Sequence, residues 1–202
     1  MRIFLDVGAH KGKILEIALR QRYNFDKLYS FDPVKENCDF IKETYIDDRL
    51  VINAFGLLDK TCEQLIYCPG SQGASIFKKK PQKERKKYPN NELCRFVKAS
   101  DWFKNNLSVN DYIIVTMNCE GSEIDILNDL LFSGEYDKID HIMIDFDVRK
   151  IEGMKHLEKE MIEKLNKLGK SNYILNYEIR KGGPKHHQRI EYWLKKFVGG
   201  VY

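Results

Sequence analysis

The sequence has 202 residues, 43% of them hydrophobic and 32% charged, with a net charge of +4. That length suits one domain, taken as residues 1–202, with a core of useful size. No stretch approaches the ~20 apolar residues of a membrane span, and Asp6 interrupts the first apolar run well short of a signal-peptide core. A cytoplasmic location with no membrane partner is therefore expected.

Strand-like and helix-like patterns alternate along the chain. RIFLDV reads as a first strand, followed by a helix in KGKILEIALRQR with Ile14 and Ala18, and Leu15 and Leu19, at helical spacing. KLYSFD is a second strand ending at Asp32; Pro33 opens a helix in which Cys38, Ile41 and Tyr45 share a face. RLVINAFG is a third strand, and CEQLIYC reads as an extra antiparallel one. A loop of about residues 69–92 holds KKKPQKERKK (Lys78 to Lys87), with seven positive charges and one negative; long loops in compact domains are often functional. CRFVKAS is a short strand, and DYIIVTMN an apolar one that breaks at CEGSE. A helix with Ile124, Leu127, Leu130 and Leu131 on one face follows. HIMIDFDV is the next strand, and Met154, Leu157, Met161, Leu165 and Leu168 mark an amphipathic helix stopped by Gly169. NYILNYEI and RIEYWLKKF read as a closing pair of strands around KGGPKHHQ. Cys38, Cys62, Cys68, Cys94 and Cys119 are odd in number and form no C-x-x-C pair, which favours packed thiols over disulfides or structural zinc.

This alternation implies an α/β fold with parallel strands and helices on both faces. Ligands in such sheets bind beyond the carboxyl ends of the strands, at the switch in strand order. Asp6-Val7-Gly8, Asp32, Asn53, Asn118-Cys119-Glu120 and Asp145 all fall at strand ends. The first turn, Gly8-Ala9-His10-Lys11-Gly12, lacks the middle glycine of G-x-G-x-x-G, which lets backbone approach a pyrophosphate. S-adenosyl-L-methionine makes other demands. Asp6 suits its ammonium, and backbone amides around Gly8 suit its carboxylate. Asp32 can accept ribose hydroxyls, and Asn53 and Ala54 fall where the adenine would lie. Taken singly, these residues could merely cap helices and make turns; together, at three successive strand ends, they favour the cofactor.

The segments FLDVGAHKG, YSFDPVKENCDFI, VINAFGLLDK, GASIF and MNCEGSEIDIL occur in this order from about Ile3 to Leu131. They resemble the FkbM-type methyltransferases, within the class I group that uses S-adenosyl-L-methionine. MNCEGSEIDIL is similar to that family's K-x-D-x-E-G-x-E-x-x-x-L segment. The resemblance implies a Rossmann-like fold with a mostly parallel seven-stranded sheet, and methyl transfer to a hydroxyl of a sugar, glycan or related small molecule. Thr116 or Met117, by offset, stands in the lysine's place and Asn118 in the aspartate's, so the amide keeps hydrogen bonding but cannot serve as a base. His10, Gly12 and Asn118 join Asp6, Gly8, Asp32, Asn53 and Ala54 as candidate cofactor residues, with contact to backbone in a loop the alternative for His10.

A sugar hydroxyl must lose its proton as the new bond forms, which a positioned carboxylate or histidine can assist. Glu120 is the first candidate, Glu123 the next, and Asp145 a third; acids in a helix's first turn are also favoured by the dipole alone. Asp145 and Asp147 point to one face of a strand by alternation and could hold a divalent metal, for which the sequence offers no further support. His186 and His187, beside Gly182-Gly183-Pro184, read as a solvated hairpin tip. Ser75 in GASIF and Lys78 are candidate substrate contacts. The basic run would attract an anionic acceptor such as a nucleotide sugar. Two rivals remain: an RNA methyltransferase that uses the basic loop for nucleic acid, and a non-catalytic binding module that kept the fold.

Overall fold

The computed structural model describes residues 1–79, 87, 89–179 and 183–199, without the side chains of 197 and 198. Most of the basic run (80–86), Tyr88 and residues 180–182 lie outside the described residues.

Six strands form the main sheet: β1 (Arg2–Val7), β2 (Lys27–Phe31), β3 (Leu50–Asn53), β7 (Tyr112–Met117), β8 (Ile139–Ile144) and β9 (Tyr173–Leu175). Their order is β3-β2-β1-β7-β8-β9, and every neighbouring pair is parallel. The chain winds outward from β1 to β3, returns to the middle, and winds the other way from β7 to β9. The switch point therefore lies at the carboxyl ends of β1 and β7, where Val7 pairs with Met117.

Both faces of this sheet are covered, which is why its central strands are continuous apolar runs rather than alternating ones. On one face Ile3, Leu5, Val7, Ile113 and Val115 pack against α3 (Ala99–Asn106), α4 (Glu123–Ser133) and α5 (His156–Lys167). On the other, Phe4, Leu28, Ile114 and Met143 pack against α1 (Lys13–Ala18) and α6 (His186–Trp193). The helix α2 (Lys35–Thr44) buries Ile41 with Ala9 and Leu15. A second sheet, β4-β6-β5, holds β4 (Gly56–Leu58), β5 (Cys62–Tyr67) and β6 (Asn91–Lys98), with β5 antiparallel to β6 as expected. Among the described residues no helix is long and apolar enough to cross a membrane.

Several expectations need correction. The main sheet has six described strands, not seven. RLVINAFG divides at Ala54-Phe55 into β3 and β4, which join different sheets. Ala99–Asn106 is a helix with no counterpart in the sequence reading, which assigned Ala99 and Ser100 to the preceding strand; its buried Ala99, Trp102 and Phe103 stand at i, i+3 and i+4, but it is barely two turns long. β6 begins at Asn91, inside the predicted loop, and pairs back to β5 with Asn91 opposite Tyr67. RIEYWLKKF is helical, not a strand. Ile190, Trp193 and Leu194 stand at i, i+3 and i+4, all buried against Phe4 and Ile114, and this spacing outweighs the local alternation. Ile190→Ala should therefore destabilise the protein by about 2–4 kcal/mol in a denaturant titration.

Candidate functional site

A cavity of about 270 Å³ opens at the switch point, near the small end of ligand pockets. Its floor is the end of β1. Asp6 is buried, its Oδ1 accepting a hydrogen bond from Thr116 Oγ1 at 3.0 Å. Its Oδ2 is buried without a hydrogen-bond partner among the described residues. Burial pushes the Asp6 carboxyl up to about 7, against the opposing pull of Thr116 and His186.

The chain then turns at Gly8, whose φ of +91° suits glycine. A Cβ there would lie 2.0 Å from the Asn118 carbonyl oxygen, so the close approach of the β1 and β7 turns requires glycine. His10 adopts φ +47°, and its Nε2 lies 3.2 Å from the Gly70 carbonyl, joining the first turn to the loop after β5. Gly12 does not line the cavity; it begins α1 at φ +72°, where a Cβ would strike the Tyr45 ring.

Asp32, at the end of β2, accepts from His10 N–H at 2.8 Å through Oδ2, and from Val34 N–H at 2.9 Å and Asn37 Nδ2 at 3.0 Å through Oδ1. Burial raises its pKa, and these three donors oppose that rise. The Oδ2 atom keeps acceptor capacity for a ligand hydroxyl. Asn53 and Ala54 do not line the cavity. Asn53 Nδ2 donates to the Ser30 carbonyl at 3.1 Å, and Ala54 is exposed. Because the chain leaves the main sheet there, Gly56, Leu57 and Phe96 form that part of the wall instead.

The turn after β7 closes the opposite side. Asn118 and Glu120 line the cavity, and Asn118 Oδ1 is buried without a hydrogen-bond partner among the described residues. Glu120 sits at φ +58°, a conformation costly for a residue with a side chain and typical of functional turns. Its carbonyl accepts from Ser75 Oγ at 2.7 Å, and Ser75 Oγ accepts from Phe77 N–H at 3.2 Å. Ser75 thus lines the cavity with its hydroxyl already tying two turns together. Lys78 is exposed and does not line it.

Glu123 is also outside the lining. It is fully buried, and its carboxylate accepts from Cys119 N–H at 2.8 Å, Gly121 N–H at 3.1 Å and Asp147 N–H at 3.4 Å. Burial, aided by nearby Asp147, pushes it up to about 7 despite the Gly121 hydrogen bond. In this position it holds the shape of the Glu120 turn. Asp145 follows β8 and pairs with Arg149 Nη2 at 2.7 Å. Asp147 lies in a 3-10 turn rather than in the strand, so alternation does not align it with Asp145. Among the described residues no group of three or more His, Cys, Asp or Glu is placed to hold a metal ion.

The sequence reading missed the histidines of α6. His186 and His187 line the cavity rather than a hairpin tip. Their signal was the Ile190, Trp193, Leu194 spacing just downstream, which makes them the start of a helix packed on the sheet.

The parallel order with its central switch and the cavity at that switch are those of a Rossmann-like α/β fold. Among solved structures the chain is similar to the methyltransferase FkbM from Methylobacillus flagellatus KT. The TM-score is 0.50 and the identity 13%, over 81% of this chain and 37% of that one. The likeness is one of fold, and this chain matches little over a third of that protein's length. No family model matches the sequence, and no curated protein matches it significantly.

Proposed function

We propose that the chain is an S-adenosyl-L-methionine-dependent methyltransferase acting on a hydroxyl of a sugar, glycan or related small molecule. The observation that carries this reading is the unpartnered, buried Oδ2 of Asp6 beneath the Gly8 turn. A buried carboxylate oxygen without a donor is costly, and an ammonium is the group that relieves the cost. The donor has an ammonium there; a dinucleotide's pyrophosphate would be repelled.

The residues fit the donor as follows. Asp6 holds the ammonium; the Gly8, Ala9 and His10 amides are already donated to Phe31 and Asp32, so the carboxylate meets the lining lysines Lys11 and Lys13 rather than the amides expected from the sequence. Asp32 takes a ribose hydroxyl, and Leu57 and Phe96 supply an apolar wall. When bound, the donor supplies a methyl group activated on a sulfonium. The chain's part is to align the acceptor oxygen with it and to exclude water. Glu120 accepts the hydrogen bond of the acceptor hydroxyl and orients it, while Ser75 and Glu123 keep the Glu120 turn in place. Lys78, outside the lining, meets an anionic acceptor at longer range.

Calorimetry tests the reading. Donor binding without binding of NAD or NADP is the expected result, and tight dinucleotide binding without donor binding would overturn it. Glu120→Gln should keep donor affinity and lower methyl transfer by roughly ten- to a hundredfold, since a neutral amide accepts the hydroxyl's hydrogen bond more weakly. Labelled-donor assays with nucleotide sugars, glycans and RNA separate the hydroxyl acceptors from nucleic acid.

A further inference from the structure

A second carboxylate stands beside the cavity with no part in the donor and acceptor contacts above. His186 lines the cavity, and its Nδ1, buried and without a hydrogen-bond partner among the described residues, lies within ion-pair distance of Asp145 Oδ2, at 3.3 Å. Asp145 is outside the lining, so it stands behind the imidazole. Its backbone amide donates to the Met117 carbonyl at 2.9 Å, which fixes it beside the end of β7. Its other oxygen accepts from Arg149. Burial would raise the Asp145 carboxyl, but His186 and Arg149 outweigh it and hold the group below the usual carboxylate range. The carboxylate behind the imidazole is therefore charged at neutral pH. The helix that carries the ring is fixed: Ile190, Trp193 and Leu194 are buried in the core, and Arg189 Nη1 donates to Asn176 Oδ1 at 3.1 Å. Glu191 further ties α6 to the chain after α1 through Arg20 at 2.6 Å.

We propose that His186 is the general base that takes the proton of the acceptor hydroxyl, with Asp145 as its positioning residue. This inference rests on the methyl-transfer reading. A carboxylate this close to Nδ1 favours the tautomer with the ring hydrogen on Nδ1, which leaves the Nε2 lone pair for the proton, and a small turn of the ring completes the Nδ1–H contact to Asp145. As the acceptor oxygen bonds to the methyl carbon, its O–H bond breaks and the proton passes to Nε2. The electron pair of the carbon–sulfur bond leaves on sulfur, which becomes a neutral thioether. The resulting imidazolium rests against Asp145 and afterwards gives its proton to water. Glu120 orients the hydroxyl, and His186 deprotonates it. Such a base also narrows the acceptor. An aliphatic hydroxyl needs its proton removed during transfer, whereas a neutral amine or an ionised phenol does not.

The test uses the whole chain, as wild type and as His186→Gln, His186→Ala and Asp145→Asn. Tritium-labelled donor is offered with methyl hexosides and nucleotide sugars as acceptor probes. His186→Gln should bind the donor within about threefold of wild type yet lose roughly 10²–10⁴ in kcat. Asp145→Asn should lower kcat with little change in acceptor KM, and added imidazole should restore part of the His186→Ala loss. A readout independent of turnover is carbethoxylation by diethylpyrocarbonate, mapped by mass spectrometry. His186 should react in wild type and be slowed at least about fivefold by S-adenosylhomocysteine, which fills the cavity.

Transfer by His186→Gln within threefold of wild type would overturn the assignment. So would labelling that S-adenosylhomocysteine leaves unchanged, because the ring would then face elsewhere. A loss of donor affinity above tenfold in His186→Gln would make the residue a donor contact instead. If wild type binds the donor but methylates none of the hydroxyl probes, the base role falls and donor binding stands. If wild type does not bind the donor, both readings fall.

Discussion

Gly8→Ala is expected to destabilise the protein by about 3 kcal/mol or more and to abolish donor binding, the steric clash adding to the backbone strain. The new Cβ would lie 2.0 Å from the Asn118 carbonyl oxygen and 2.8 Å from its carbonyl carbon. Both atoms are backbone, so no side chain can swing aside. The substitution also forces an L-residue into φ +91°. Relief requires the turn after β7 to move. That turn carries Asn118 and Glu120 into the cavity and is held by Glu123 from below. Displacing it therefore damages the site and the fold together. Gly134→Ala is the control. Gly134 has a similar φ, +81°, but a Cβ added there would meet nothing within 4 Å among the described residues, so only the conformational cost of about 1–2 kcal/mol remains. Equilibrium denaturation of the two variants separates collision from backbone strain; equal losses would show that the β1 and β7 turns do not meet as described.

Asp6→Asn should have opposite effects on stability and on binding. The folded protein holds the Asp6 proton up to about pH 7, against an ordinary value of 3.8. The stability this group contributes is complete below pH ~4 and is lost as pH rises through about 7, where the buried charge costs about 4 kcal/mol. The amide carries no such charge. The ligand-free variant should therefore be more stable than wild type at pH 8 and no more stable at pH 4. Donor binding should weaken at least ~30-fold at pH 8, as when one partner of a buried charge pair is removed. In wild type the ammonium must displace the proton. Below pH 7 donor binding should release a proton, and affinity should fall about tenfold per pH unit. Calorimetry in buffers of different ionisation enthalpy measures that proton; a pH-independent affinity would remove Asp6 from the site. Glu123, also held up to about 7, adds a similar loss of stability over the same pH range with no ligand to relieve it.

These expectations rest on features of unequal legibility. Asp6, Gly8, Asp32, Asn118 and Glu120 could be placed from the primary sequence because each closes or follows an apolar strand. In a parallel sheet the end of a strand is also the edge where ligands bind. Local order alone was enough there. Gly169 could be read as the end of α5 for the same reason: its φ of +69° is a local requirement.

What the linear pattern left undecided are relationships between distant segments. Glu123 and Glu120 are three residues apart with the same chemistry. Burial against the Cys119, Gly121 and Asp147 amides makes one a scaffold, while the other faces the cavity. Asn53 sits at a strand end like Asp32, yet the chain bends away at Ala54 and Phe55, and Leu57 and Phe96 from the second sheet form the wall. His186 lies 180 residues from Asp6, in a segment that resembled a hairpin tip before a strand. Its position beside Asp145 exists only because Ile190, Trp193 and Leu194 bury against the face of β1 and β7. Strand ends depend on neighbouring residues, whereas the burial of one carboxylate and the approach of a remote imidazole depend on how the finished layers pack.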